Sequence, residues 1–316
     1  MIYVSRLLTD RAMAHLQSLG LEVRVGGEDP PTSDQLEAGI AGASAAVITL
    51  TERVDAALLT TAGDQLKVIA NVAVGYDNID LAAAEAAGVM VTNTPGVLDR
   101  ATADHTFALI LAVTRRVAEG DRFLRSGQDW IWGPRMLVGL DISAGATLGI
   151  LGYGRIGRAL AQRAQGFDMT VIASGRSRTP GTEEDGVSFV DTGTLLAQSD
   201  VVTVLTPLTP QTRHLIDAAA LKAMKPTAYL INTARGGVVD EEALIAALHD
   251  GQIRGAALDV YEGEPRVNPA LLDTPGLVLT PHTASAGQAT RDTMGILAVD
   301  NAAAVLAGEP PLTPVR

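Results

Sequence analysis

Short β-branched and aliphatic runs alternate with Ala- and Leu-rich stretches of helical spacing along nearly the whole chain. In the first part, residues 2–5, 22–25, 45–50, 67–72 and 89–92 read as strands. Between them, residues 10–19, 33–40, 55–61 and 81–87 carry helical patterns. Asp10 and Ser33 suit N-caps, and Gly20 and Gly88 suit helix stops. The strand runs are apolar on both faces, as in a parallel sheet covered by helices on each side. Strand–helix alternation then implies right-handed crossovers.

From Asp99 the texture changes. Residues 99–119 read as one long helix, with Phe107, Ile110, Leu111 and Thr114 near helical spacing. Residues 127–145 follow, rich in Gly, Trp and Arg and weak in periodicity. A second alternating series has strands at 147–152, 170–174, 201–206, 228–233, 255–260 and 277–280. Residues 286–306 are helical again and lead into a Pro-rich tail. The pattern predicts an α/β chain of two doubly wound parallel-sheet domains. Residues 99–285 form one, inserted into the other, which comprises 1–98 and 286–316.

The composition narrows the class. A chain of 316 residues suits about two domains of ~100–200 residues. At 47% hydrophobic and 19% charged, it has enough apolar surface for sizeable cores, which excludes extended disorder. Aromatics are 3%, so those cores are aliphatic. The absence of cysteine excludes disulfides, thiol catalysis and cysteine–metal sites, and no metal is expected. With 36 Asp+Glu against 24 Lys+Arg, no nucleic-acid partner is expected, although a small basic pocket remains open. No apolar run approaches the ~18 residues of a membrane span. Arg6 and Asp10 interrupt any signal-like core. The expectation is a soluble cytoplasmic protein with no membrane partner.

The most specific local signal is a glycine turn. An apolar run from Thr147 leads into Gly152-x-Gly154-x-x-Gly157, and a helical pattern follows at 158–165. Gly152 permits the tight turn, Gly154 lets backbone approach a pyrophosphate, and Gly157 lets helix and strand pack closely. Arg155 and Ile156 open the helix, whose N-terminal N–H groups and dipole favour phosphate. This is a dinucleotide-binding signature in its required strand–turn–helix setting. Enzymes selective for NAD carry an acid about 20 residues further on. Here the strand ends in Gly175-Arg176-Ser177-Arg178. Arg176 and Ser177 suit a ribose 2′-phosphate, with Arg178 adding positive potential. The expected cofactor is NADP(H), with NAD(H) usable. The alternative is a solvated surface turn.

Four of the five histidines, His15, His105, His214 and His249, have structural readings. His282 differs, because it follows an apolar strand in Thr280-Pro-His-Thr283. Ligands of open α/β sheets bind at that carboxyl end. Arg235 follows the strand Tyr229-Leu-Ile-Asn-Thr-Ala234, and Glu264 lies in Asp259-Val-Tyr-Glu-Gly-Glu-Pro265. Three strand ends therefore offer a cation, an acid and an imidazole. A lone Arg after a strand is otherwise a salt-bridge residue, and Glu262 is the alternative acid.

The chain at this point resembles the D-isomer-specific 2-hydroxyacid dehydrogenase family over nearly its whole length. The resemblance rests on Asn71-Val-Ala-Val-Gly-Tyr-Asp-Asn-Ile-Asp80, Asn93-Thr-Pro95, the glycine turn, Pro207-Leu-Thr-Pro210, Asn232-Thr-Ala-Arg-Gly236, the 259–265 block and Pro281-His282. Within the family it looks most like the glyoxylate/hydroxypyruvate reductases, through residues 73–80, 120–127 and Trp132-Gly-Pro134. It departs from many members at Leu205, where they carry a His.

The resemblance implies a Rossmann dinucleotide-binding domain inserted into a flavodoxin-like substrate domain. It implies NAD(P)H-dependent reduction of a small 2-keto acid, glyoxylate or hydroxypyruvate, to the D-2-hydroxy acid. Arg235 would pair with the substrate carboxylate. His282 would exchange the proton, and Glu264 would accept from the imidazole and favour its charged form. Backbone N–H groups of Ala73, Val74 and Gly75 would hold the carboxylate's other side. Asp259 would contact the nicotinamide amide, and Thr206, Pro207, Thr233, Ala234 and His282 the cofactor. Residues 127–145 would be an arm embracing a second copy in a homodimer, with Trp132 closing the partner's substrate pocket. Otherwise Trp130 and Trp132 are ordinary core aromatics. The competing functions are a phosphoglycerate, D-lactate or phosphite type of dehydrogenase, and a non-catalytic nucleotide-sensing protein.

Overall fold

The structure, a computed structural model, describes residues 1–315. The chain divides into two compact units, Met1–Leu98 with the stretch from Ala286 onward, and Asp99–Ser285.

The first unit alternates β1 (Ile2–Val4), α1 (Asp10–Ser18), β2 (Val23–Val25), α2 (Ser33–Ile40), β3 (Ala45–Ile48), α3 (Ala56–Ala62), β4 (Val68–Asn71), α4 (Leu81–Ala86) and β5 (Met90–Thr92). The strands form one parallel sheet in the order β2-β1-β3-β4-β5. That is the flavodoxin-like 2-1-3-4-5 arrangement. Every residue of β1, β3 and β4 is buried, the mark of a sheet covered on both faces. The caps of the first two helices fall one residue earlier than the sequence suggests. Thr9 and Thr32, not Asp10 and Ser33, stand at the N-cap. Thr32 closes a capping box with Gln35, in which each side chain accepts from the other's backbone N–H. Gly20 and Gly88 end their helices in the left-handed region, at φ 65° and 68°.

The second unit opens with a correction. The long helix expected over 99–119 is two helices, α5 (Asp99–Thr114) and α6 (Val117–Arg125), broken where Arg116 turns to φ 54°. Residues 128–141 carry no helix or strand. Trp130, Ile131 and Trp132 there are 53%, 92% and 76% exposed, so neither Trp is a core residue. Then follow β6 (Thr147–Leu151), α7 (Arg155–Gln165), β7 (Thr170–Ser174), β8 (Glu183–Glu184), β9 (Val187–Phe189), α8 (Thr192–Gln198) and β10 (Val201–Val204). The unit continues with α9 (Ala218–Ala223), β11 (Tyr229–Asn232), α10 (Glu241–His249), β12 (Gly255–Leu258), α11 (Pro269–Asp273) and β13 (Leu277–Leu279). The sheet order is β13-β12-β11-β10-β6-β7-β9-β8. From β9 through β12 this is the Rossmann order 3-2-1-4-5-6. β13 extends one side, and β8 pairs antiparallel with β9 on the other edge. The β8–β9 hairpin was not expected from the sequence.

The chain then returns to the first unit as α12 (Gln288–Leu306). Gly295 lets α12 lie against α1, since a Cβ there would stand 2.6 Å from Ala12 Cβ. His15 Nε2 and Asp300 Oδ1, 2.6 Å apart, join the same two helices. Buried Asn301 holds Thr313, whose hydroxyl donates to Asn93 O at 2.6 Å, so the tail lines the edge of β5. That covers backbone an edge strand would otherwise expose. Among the described residues, no helix is long and apolar enough to cross a membrane.

Candidate active site

The carboxyl ends of β6 and β10 flank the point where strand order reverses in the second unit, which is where such sheets bind ligands. Gly152 turns the chain out of β6 at φ 98°. A Cβ there would lie 2.7 Å from the Leu205 carbonyl and 2.8 Å from Thr206 N, so only glycine permits the approach of the loop after β10. A Cβ on Gly157 would come within 2.8 Å of Gly152 O, whereas one on Gly154 would meet nothing within 4 Å. Two glycines are thus consumed by packing and one keeps an approach open. Gly154 caps α7 without a side-chain bond, and the N–H groups of Arg155, Ile156 and Gly157 have no acceptor among the described residues. Thr206 Oγ1 is buried without a partner beside this turn, while Pro207 O accepts from Thr212 Oγ1 at 2.6 Å.

At the end of β7, Arg176 and Ser177 are exposed. Arg178 is not the spare cation expected of it. It pairs with Glu184, delivered by the β8–β9 hairpin, which also binds Arg158 at 2.8 Å. Its guanidinium packs over the rings of Tyr153 and Phe189, 5.7 and 5.2 Å from their centroids.

The three candidate catalytic residues leave β11, β12 and β13. Arg235 follows β11, where buried Asn232 shapes the turn by donating to Arg235 O and accepting from Ala234 N. Arg235 Nη1 donates to Ala234 O at 2.9 Å. Glu264 follows β12, and its Oε1 accepts from Tyr261 N at 2.8 Å. Its Oε2 meets His282 Nδ1 at 2.7 Å. A carboxylate acceptor puts the proton on Nδ1 and leaves Nε2 as the ring's other face. Glu262, the alternative acid, is turned away, with Oε1 bound to Arg213 and His214 at 2.9 and 2.8 Å.

His282 sits at φ 52°, a left-handed conformation that costs a non-glycine residue about 1–2 kcal/mol. Its surroundings impose it. His282 N donates to Asp259 O and Thr280 O at 2.8 and 3.1 Å. Asp259 itself is fully buried, and both its oxygens serve this loop. Oδ1 accepts from Thr280 Oγ1 at 2.6 Å and Thr283 N at 2.8 Å, and Oδ2 from Ala284 N at 2.8 Å. His105 on α5 stands 3.3 Å from Oδ1. Burial pushes the Asp259 carboxyl up, but bonds from His105, Thr280 and the Thr283 and Ala284 N–H groups together hold it below its usual value. Asp259 thus braces this loop from within its own domain.

Thr233, just after β11, is buried, and its hydroxyl pairs with Thr106 Oγ1 on α5 at 2.8 Å.

In the first unit, the loop after β4 spends its carbonyls on the chain. Ala73 O accepts from Thr94 N, Val74 O from Asn93 Nδ2, and Gly75 O from Asn71 Nδ2, at 2.8–2.9 Å. The N–H groups of Ala73, Val74 and Gly75 have no acceptor among the described residues. Oriented N–H groups without acceptors suit an anion.

Comparison with known proteins gives the family. The profile of the D-isomer specific 2-hydroxyacid dehydrogenase, NAD binding domain, matches residues 107–284. A glyoxylate reductase of Thermococcus litoralis is 45% identical, over 98% of this chain and 95% of its own. The chain belongs to the D-isomer-specific 2-hydroxyacid dehydrogenase family. A solved Thermus thermophilus protein superposes with a TM-score of 0.93 at 44% identity, covering 100% of this chain and 99% of its own. An NADPH-dependent glyoxylate/hydroxypyruvate reductase of Sinorhizobium meliloti, solved with NADP and malonate, has a TM-score of 0.84 at 32% identity, covering 99% and 96%. A D-2-hydroxyacid dehydrogenase uses a nicotinamide dinucleotide. The open approach at Gly154, the free N–H groups of α7 and the orphaned Thr206 hydroxyl fit one here.

The supports of this dehydrogenase's site were not legible beforehand. Glu241 is buried and accepts from Glu262 N at 2.7 Å. Burial first, and then the nearby carboxylates of Glu262, Glu242 and Glu264, push its pKa up. Tyr261 donates to Thr280 O at 2.9 Å and ties the Glu264 loop to the His282 loop. Its hydroxyl is pushed up to about 12, first by burial and then by Asp259 and Glu264. Gly236, a motif residue with no role assigned to it, allows the Arg235 turn to lie on Tyr261, where a Cβ would fall 1.9 Å from the Tyr261 carbonyl carbon. Gly236→Ala therefore displaces Arg235 and Glu264 together. Steady-state kinetics should show kcat/KM for the keto acid lowered by about a hundredfold, with dinucleotide binding kept. Unchanged kcat/KM would show that the contact is dispensable.

Proposed function

We propose that this D-2-hydroxyacid dehydrogenase reduces a small 2-keto acid, glyoxylate or hydroxypyruvate, to the 2-hydroxy acid (D where that carbon is chiral), with NADPH preferred over NADH. The observation that carries the reading is the bond of His282 Nδ1 to Glu264 Oε2 at 2.7 Å. It orients the ring with a proton on Nδ1, so Nε2 is the atom that exchanges a proton with the substrate. In reduction Nε2 passes that proton to the carbonyl oxygen, and in oxidation the neutral ring takes it back from the hydroxyl. The Arg235 guanidinium pairs with the substrate carboxylate, for which its planar fork is suited. In the first unit, the N–H groups of Ala73, Val74 and Gly75 suit a substrate carboxylate. The bound nicotinamide supplies the hydride. Glyoxylate reductases among the relatives support the substrate class.

A panel of glyoxylate, hydroxypyruvate, pyruvate and phosphohydroxypyruvate separates this reading from the phosphoglycerate and D-lactate types. His282→Ala should lower kcat by roughly 10²–10⁴-fold, with NADPH binding by fluorescence titration retained. Near-normal kcat would remove His282 from the chemistry.

For the cofactor, Gly175 occupies the position of the usual ribose-binding acid. A Cβ there would make only ordinary contacts, with Tyr153 N at 3.5 Å and Arg178 Cγ at 3.9 Å, so space alone does not exclude an acid. With Arg178 neutralised by Glu184, the 2′-phosphate falls to Arg176 and Ser177. A charge-assisted bond of this kind is worth about tenfold or more. Arg176→Ala should therefore lower the NADPH-to-NADH ratio of kcat/KM by about tenfold. A wild-type preference for NADH, or an unchanged ratio, overturns the assignment.

We further propose a C2 homodimer formed through α6 and residues 128–141. No residue of α6 is buried, and Trp130, Ile131 and Trp132 lie exposed beyond it. Contiguous apolar exposure of this sort marks an interface. Trp132 then walls the partner's substrate pocket and disfavours bulky keto acids. Light scattering should find a dimer at micromolar concentration, and Trp132→Ala should narrow the preference for glyoxylate over larger keto acids. A fully active monomer would contradict both.

A further inference from the structure

We propose that His105, on α5, is a positioning residue for His282, acting through Thr280 and the buried Asp259 carboxylate. The proposal rests on His282 being the proton donor, as read above. His105 Nε2 lies 3.2 Å from Thr280 Oγ1 and 3.3 Å from Asp259 Oδ1. The Thr280 hydroxyl donates its only proton to Asp259 Oδ1 at 2.6 Å, so toward His105 it is an acceptor. His105 must therefore carry its proton on Nε2, shared between the two oxygens. That proton is a side-chain contribution from outside the 259–284 stretch to a cluster whose other side-chain bonds lie within it.

The loop beyond Thr280 depends on that cluster. Its His282 is left-handed without being glycine, and such a conformation persists only where neighbours over-determine it. Asp259 supplies most of the constraint, through its backbone oxygen to His282 N and its carboxylate to Thr283 N and Ala284 N. A carboxylate with no exposed surface keeps its charge only while its donors are in place. Without His105, one donor to Oδ1 and the acceptor-side partner of Thr280 are lost together. The imidazole then wanders from the line on which it meets both Glu264 and the carbonyl oxygen. Misplacement of a proton donor reduces turnover far more than it reduces substrate capture by Arg235.

The test is a set of variants assayed with the keto acid the wild type reduces fastest. His105→Leu should lower kcat about ten- to a hundredfold, with KM within about twofold and NADPH affinity by fluorescence unchanged. His105→Gln, which keeps a donor, should restore most of kcat. Thr280→Val should reproduce the loss, and it carries the same test if His105→Leu melts below the assay temperature. The deciding comparison adds His105→Leu to His282→Ala. If His105 acts only through His282, the residual rate stays where His282→Ala alone leaves it. An equal further loss in that background, or His105→Leu with wild-type kcat, overturns the proposal. A His282→Ala enzyme that keeps wild-type kcat overturns instead the reading on which it rests.

Discussion

Asp259 is a charge with no exposed surface, and the second unit is arranged around satisfying it. An ionised carboxylate taken from water without partners would cost many kcal/mol, so its oxygens dictate where donors must be. Those donors are the hydroxyl of Thr280 and the N–H groups of Thr283 and Ala284, with His105 reaching in from α5. The loop after β13 cannot satisfy the carboxylate without curling back over the end of β12. Curling back forces His282 through the left-handed region and turns its ring to Glu264. The orientation of His282 toward Glu264 is here a by-product of electrostatic satisfaction, and the backbone strain at His282 is offset by the bonds that require it.

The same economy appears at the glycine turn by a different force. There the constraint is steric. Gly152 lies against the Leu205 carbonyl, and Gly157 lies against Gly152 O. Side chains at either place would separate β6, α7 and the loop after β10, which are the elements that aim backbone N–H groups at phosphate. Gly154, by contrast, faces open space, so its lack of a Cβ serves the ligand and not the fold. Leu205 contributes its backbone to this contact while its side chain packs on the hydrophobic core.

The sequence made the strands and the family motifs readable because both depend on local pattern. Runs buried on both faces, such as those of β3 and β10, show no polar alternation, and their short length and β-branched residues mark them as strands. What escaped carries no local signal or was set by partners distant in sequence. The break at Arg116 has no proline or glycine to announce it; instead Arg116 turns left-handed and binds Glu119 at its Nε, 2.7 Å away. The β8–β9 hairpin is too short for alternation to register, yet it carries Glu184 to Arg178 and removes a charge that looked available. Asp259 and Thr233 sat in the right motifs, but their partners, His105 and Thr106, lie on α5 far upstream. Residue type and spacing singled out an acid, an imidazole and a guanidinium as candidates, whereas the hydrogen bonds that orient them could be found only in three dimensions.

The supports of the two halves of the site are separate, and this decides how damage spreads. Arg235, Glu264 and His282 stand on loops stacked one upon another. Gly236 rests on Tyr261, Tyr261 bonds Thr280, and Thr280 bonds Asp259. A displacement introduced anywhere in that stack reaches all three side chains, because each contact is backbone or buried carboxylate with little freedom to relax. The glycine turn is held instead by Leu205, Thr206 and Ile150, none of which belongs to the stack. Substitutions within the stack therefore couple strongly to one another and weakly to dinucleotide binding, since sites with no shared partner contribute nearly additively.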